Sequence, residues 1–198
     1  METISFALGV VGVIIGIPAV FGMTVTLRRR YNWRAVMLGV KDVAAQIEEE
    51  EQKKTHPWAP NMIIGLADGA VPAAMLALNL RIQRLYFVDA PTSSRTDEVL
   101  ANLFLDNLPP KFNNEYDKLL IVDNHIFSGN NMRAAVSAMV ARGACRENIR
   151  TCAILRNDYP SAAFTPDFTA KEFRGGKTAI PWSFSDGHKS AYVATTHG

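Results

Sequence analysis

Leu119-Leu120-Ile121-Val122 is an uninterrupted apolar run that closes on Asp123, and together with the turn and helix after it this run limits the chain more than any other feature. A short polar turn carries Ser128-Gly129, and Ala134 through Arg142 then keeps a helical pattern. The order is strand, tight loop, helix N-terminus. At such a junction, free backbone N–H groups and the positive end of the helix dipole converge on one point, which suits an anion. An acid at the strand's end faces a hydroxylated or metal-bound part of the same ligand.

The same order occurs once more upstream. Met62-Ile63-Ile64-Gly65-Leu66 is a buried strand, Ala67-Asp68-Gly69-Ala70 a turn, and Val71 to Leu80 an apolar helix, followed by a second strand, Leu85-Tyr86-Phe87-Val88-Asp89. The pattern predicts strands at 62–66, 84–89, 118–123 and 150–155 and helices at 70–80 and 129–142. Such alternation makes an α/β fold, a parallel sheet with helices on both faces. Ligands in these folds bind beyond the C-terminal strand ends. Asp68, Asp89 and Asp123 each fall at or just past such an end.

From Asn61 to Leu155 this arrangement resembles the type I phosphoribosyltransferases, with 71–77 similar to a helix of their 6-oxopurine (xanthine/guanine) branch. The resemblance implies that Ser128, Gly129, Asn130 and Asn131 bind the 5′-phosphate of phosphoribosyl pyrophosphate (PRPP). It also implies that Asp123 and Asn124 occupy the catalytic position facing the ribose hydroxyls. The turn Ala67, Asp68, Gly69, Ala70 would bind the pyrophosphate, with Mg²⁺ bridging its oxygens. Displacement at C1′ passes through an oxocarbenium-like state, so catalysis there rests on positioning and charge stabilisation. The family's flexible loop corresponds to residues 90–117, where Arg95 is the candidate cation for the pyrophosphate. A solvated loop arginine is the plainer alternative. Pro109-Pro110 ends any helix formed at 97–107.

In the C-terminal segment, Ile180-Pro181-Trp182-Ser183-Phe184-Ser185-Asp186 is similar to the apolar, Pro-Trp-containing acidic tail of the same branch. Trp182 and Phe184 become candidates to stack on a base, and Asp186 a candidate near the metal. A final strand with an aromatic core residue accounts for them equally. Residues 157–178, rich in Pro, Gly and Phe, are expected to be irregular. Several positions depart from the family pattern. Asn124 stands where many members carry a second acid, Phe127 where purine-specific members often carry Asp, Asn131 in place of a hydroxyl, and Asp68 where a cation is usual.

The N-terminus is of another kind. Residues 3–27 hold no charge, and most of Ile4 through Val25 is apolar. At about 1.5 Å per residue this length spans a hydrocarbon core of about 30 Å. Glu2 precedes the run, and Arg28, Arg29, Arg30 and Arg34 come after it. A signal peptide has the opposite charge order, so the expectation is an uncleaved single-pass transmembrane helix with the C-terminal domain cytoplasmic. The division is then an anchor with its basic flank at 1–30 and a phosphoribosyltransferase-like domain at 31–198, with a hood segment near 157–198. Gly9, Gly12 and Gly16 make a small-residue face. It reflects either ordinary membrane-helix composition or a homodimer contact. Beyond it, Trp33, Val36, Met37, Val40, Val43, Ala44 and Ile47 recur at helical spacing, as in an amphipathic helix packed on the sheet, with Trp33 fitting either the core or the headgroup level and the domain lying close to the bilayer.

A net charge of +2 gives no basic face for nucleic acid. Cys145 and Cys152 lack metal spacing and read as free thiols, and His125 and His188 also lack ligand spacing. Three functions are open. The first is a membrane-bound enzyme moving phosphoribosyl from PRPP to a small-molecule, nucleobase-like acceptor. The second is a PRPP or nucleotide sensor of the same fold, and the third a membrane scaffold. Turnover needs transition-state contacts, whereas sensing needs only the phosphate loop and Asp123.

Overall fold

The computed structural model describes residues 32–89, 105–126, 128–157, 164–173 and 181–182. The expected anchor at 1–30, Arg95, Phe127, Phe184 and Asp186 lie outside the described residues. Among the described residues, no helix is long and apolar enough to cross a membrane.

The first helix, α1 (Trp33–Glu51), starts where the Asn32 side chain accepts the Ala35 N–H at 2.9 Å, a side-chain cap on an otherwise orphaned donor. Val36, Val40, Val43, Ala44 and Ile47 form its buried stripe. Trp33, at the N-terminal end of that stripe, and Met37, at its edge, are half exposed, so the packed face is narrower than the helical repeat. Strand β1 (Met62–Leu66) is buried along its whole length. After a single 3₁₀ turn at Ala67–Gly69 comes α2 (Ala70–Leu80), with Pro72 in the first turn, where its missing N–H breaks no helical bond. Next come β2 (Arg84–Val88), β3 (Leu119–Ile126), α3 (Asn130–Ala141), β4 (Ile149–Asn157) and β5 (Phe168–Phe173).

The five strands make one parallel sheet in the order β2-β1-β3-β4-β5. Its two faces bury separate clusters. On one, α1 and α2 cover Ile63, Leu120, Val122, Cys152 and Ile154. On the other, α3 covers Met62, Ile64, Leu66, Leu119, Ile121 and Ile149. Burial pushes the Cys152 thiol up, so it stays an unionised core residue.

Two expectations change. Strand β5 occupies part of the stretch expected to be irregular. Its sequence alternates weakly, and what holds it is a tertiary clamp. Asp167, just before β5, accepts the backbone N–H and the hydroxyl of Thr151 in β4, both at 2.8 Å, and pairs with Arg150 at 3.2 Å. Strand β3 also continues past Asp123 to Ile126, because β4 keeps pairing with it as far as Ile126↔Arg156. The partner on its other side, β1, stops matching it at Gly65↔Val122. Asp123 therefore lies inside a strand, at the step where that strand outruns its neighbour.

Ile121 sits fully buried at the centre of the sheet, while Leu78 on α2 is 81% exposed. Ile121→Ala is expected to lower stability by about 3 kcal/mol. Leu78→Ala should stay within about 0.5 kcal/mol of wild type. Urea unfolding of the two variants side by side checks the assignment.

Candidate functional site

In an open parallel sheet, the crevice forms where successive crossovers leave in opposite directions. Here that point lies between β1 and β3: β1 leads through α2 to β2 on one side, and β3 leads through α3 to β4 on the other. The two loops expected to carry the chemistry, 67–70 and 128–131, both open at this switch point.

The first loop is pressed against β3. A Cβ on Gly69 would lie 2.6 Å from the Val122 carbonyl oxygen and 2.7 Å from the Asp123 Cα, so only glycine fits. Ala67 takes a positive φ of 45°, a conformation that disfavours any side chain, to bend the chain into α2. Ala67 and Asp68 remain exposed. The second loop is shaped by Gly129, whose φ is 78° and whose added Cβ would collide with Phe164 Cβ at 2.2 Å. Ser128 Oγ accepts the Asn130 N–H at 3.4 Å, and Asn130 Oδ1 accepts from Arg133. Ser128 is exposed, Asn131 half-buried and Asn130 buried at the start of α3. A helix start supplies N–H groups without partners inside the helix, so an anion fits here.

Asp123 stands between the loops. It is half-buried, and its carboxyl accepts the His125 N–H at 3.5 Å. Burial pushes its pKa up to about 7, and the nearby Asp68 charge pushes the same way, against the backbone N–H groups of His125 and Asn124. Burial also pushes the His125 imidazole down to about 4, so it is neutral at pH 7. The strand's alternation separates Asp123 from Asn124. Leu119 and Ile121 share the α3 face with Asp123, while Leu120 and Val122 share the α1 face with Asn124.

Asn124 instead lines a cavity of about 300 Å³ under α1. Ala35, Val36, Leu38, Gly39 and Asp42 form one wall, and Ile154, Leu155, Ala170 and Trp182 the other. Trp182 is held at two points. Its indole N–H donates to the Asp68 carbonyl at 2.8 Å, and its ring lies 5.4 Å from that of Trp33. One tryptophan thus joins the turn after β1 to α1 beside the cavity.

Sequence reasoning missed the part played by α1, β4 and β5. The one local signal was Gly39 inside the helical pattern. A Cβ there would sit 3.1 Å from Ile154 Cγ2 and 3.3 Å from Ala170 Cβ, so the glycine brings α1 close to the strands. Asp89 lies just past β2 and is exposed.

Among the described residues, no group of three or more His, Cys, Asp or Glu side chains is placed to hold a metal. The oxygen donors of Asp68 and Asp123 suit a hard cation whose remaining ligands are phosphate oxygens or water.

A model of the phosphoribosyl transferase domain matches residues 30–186. The chain belongs to that family. Phosphoribosyl transfer is the enzyme class this membership carries. No curated protein matches the chain significantly. Among solved structures, a purine phosphoribosyltransferase from Pyrococcus horikoshii is 20% identical, with a TM-score of 0.60 over 79% of this chain and 94% of that one. The xanthine-guanine-hypoxanthine phosphoribosyltransferase of Helicobacter pylori is 15% identical, with a TM-score of 0.59 over 78% and 92%. A hypothetical protein from Neisseria gonorrhoeae, solved with bound ppGpp, is 16% identical, with a TM-score of 0.60 over 81% and 92%. At these identities the likeness concerns the fold.

An acid whose folded pKa is raised binds more protons folded than unfolded, so it lowers stability as pH climbs from the ordinary carboxylate range through about 7. Asp123→Asn should therefore remove part of the wild-type loss of stability between about pH 4 and 8, leaving the variant the more stable at the upper end. Thermal unfolding across that range measures it. Equal slopes for both proteins would place the carboxyl in water.

Proposed function

We propose that this phosphoribosyltransferase-family domain binds PRPP with Mg²⁺ in the crevice between β1 and β3 and transfers phosphoribosyl to a nucleobase-like acceptor. The observation that carries the reading is the convergence of the 67–70 turn, Asp123 and the 128–131 loop at one switch point, with a Trp-walled cavity alongside. Backbone N–H groups and the side chains of Ser128, Asn130 and Asn131 hold the 5′-phosphate. The 67–70 turn presents its backbone to the pyrophosphate, and Asp123 accepts from a ribose hydroxyl. Magnesium, when bound, supplies positive charge that offsets Asp68, Asp123 and the pyrophosphate oxygens together. The cavity takes the acceptor: Trp182 offers a π-face, and Asn124 and Asp42 offer polar partners. The purine-enzyme neighbours favour a purine-like ring.

A second reading is favoured by one comparison. The Neisseria gonorrhoeae structure holds ppGpp on this fold, and here Asn124 and Asp68 stand in place of family charges. A nucleotide or PRPP sensor would need the phosphate loop without turnover. On either reading, the uncharged run at 3–27 with its arginine flank anchors the domain as a single-pass protein on the cytoplasmic side.

Calorimetric titration of the full chain with PRPP and Mg²⁺ should give saturable binding, weakened at least tenfold, about 1.4 kcal/mol, by Asp123→Ala. Pyrophosphate release with one of a panel of purine bases establishes the enzyme. Binding without release, displaced by ppGpp, establishes the sensor. No binding at millimolar PRPP overturns both.

A further inference from the structure

Building on the anchor at 3–27, we propose that the first three turns of α1 are a lipid-contacting face that seats the domain on an anionic bilayer surface, with the mouth of the acceptor cavity at headgroup level. Trp33, Met37 and Leu38 are 49%, 50% and 58% exposed, three of the largest apolar side chains left open among the described residues. At i+3 and i+4 spacings Met37 and Leu38 share a surface with Arg34 and Lys41, beside the buried stripe of Val36, Val40, Val43 and Ile47, and Trp33 stands at the N-terminal end of that stripe. Tryptophan, aliphatic and basic side chains together on one helix face are the composition of an interfacial helix.

The rest of the chain says what covers this face. The uncharged run ends at Leu27, Arg28-Arg29-Arg30 comes next, and α1 begins at Trp33. An anchor of that length delivers α1 to the headgroup layer N-terminus first, where tryptophan and arginine are favoured. Charge along α1 then sets the orientation. Arg34 and Lys41 outnumber Asp42 in its first ten residues, whereas exposed Glu48, Glu49 and Glu51 lie at its far end. Anionic lipid attracts the first half and repels the second, so the helix lies against the surface by its first turns and tilts away toward its far end. Leu38 belongs both to this face and to the cavity wall, and Trp33 packs on Trp182, which lines the same cavity. The acceptor consequently enters from the edge of the bilayer.

The test uses the full chain in nanodiscs containing anionic lipid, with Cys145→Ala and a fluorophore on Leu38→Cys or, separately, on Glu49→Cys. Both positions are exposed, so neither change disturbs the core. Lipid carrying a nitroxide near the headgroup should quench the label at 38 several-fold more than the label at 49, and aqueous iodide should do the reverse. Equal access of iodide to both labels, with the protein still resistant to alkaline extraction, overturns the docking face and leaves the anchor standing. A label at 38 reached by neither quencher means that protein covers the face, a second copy included, and overturns it as well. Release of the chain by alkaline extraction overturns the anchor reading, and the docking face with it.

Discussion

Everything at the site depends on how closely one turn approaches one strand. With no side chain at Gly69, the turn after β1 sits directly against the backbone of Val122 and Asp123, in the notch left where β3 runs on beyond β1. Gly65 makes the complementary contact possible, since a Cβ there would be 2.9 Å from both Ala70 Cα and Ala73 Cβ. Two glycines within one short stretch thus bring the start of α2 down onto the switch point. The left-handed conformation at Ala67 opposes this arrangement by about 1–3 kcal/mol. Fully buried neighbours such as Leu66, Ala73 and Leu76 hold it in place.

That geometry has an electrostatic side. Asp123 is half-buried near a second acid, and both raise its pKa by disfavouring the ionised carboxyl. A cation or a hydrogen-bond donor placed beside it would favour the ionised carboxylate again. Asn124, one residue on, faces the other side of the sheet and the cavity under α1. Neighbouring residues on one strand therefore face two different spaces. The pleat of the strand does the sorting.

The parts of this design that were legible in the sequence are local. The apolar strand closing on Asp123, the Ser128-Gly129 turn and the Ala67–Ala70 turn each carry their chemistry within a few residues, and four of the five strands announce themselves by composition. The hidden parts are tertiary. Strand β5 is specified by Asp167 gripping Thr151, a contact across sixteen residues. The end of β3 is set by pairing with β4, not by its own residues. The cavity is built from α1, β4, β5 and Trp182, elements far apart in the chain, and within α1 only Gly39 hinted that the helix must lie close to something. Trp33 and Met37 fit a helical repeat, yet periodicity alone did not tell the packed flank from the exposed one.

Trp182 bonds to Asp68 and packs on Trp33, each more than a hundred positions from it along the chain. Contacts of such long separation form late, because loop closure precedes any gain from them. During synthesis, β1 to β4 and both loops leave the ribosome well before this tryptophan does, and β5 shortly before it. Trp182 is the last of the cavity's lining residues to be made, so the contact that ties the turn after β1 to α1 forms only after both of its partners are in place.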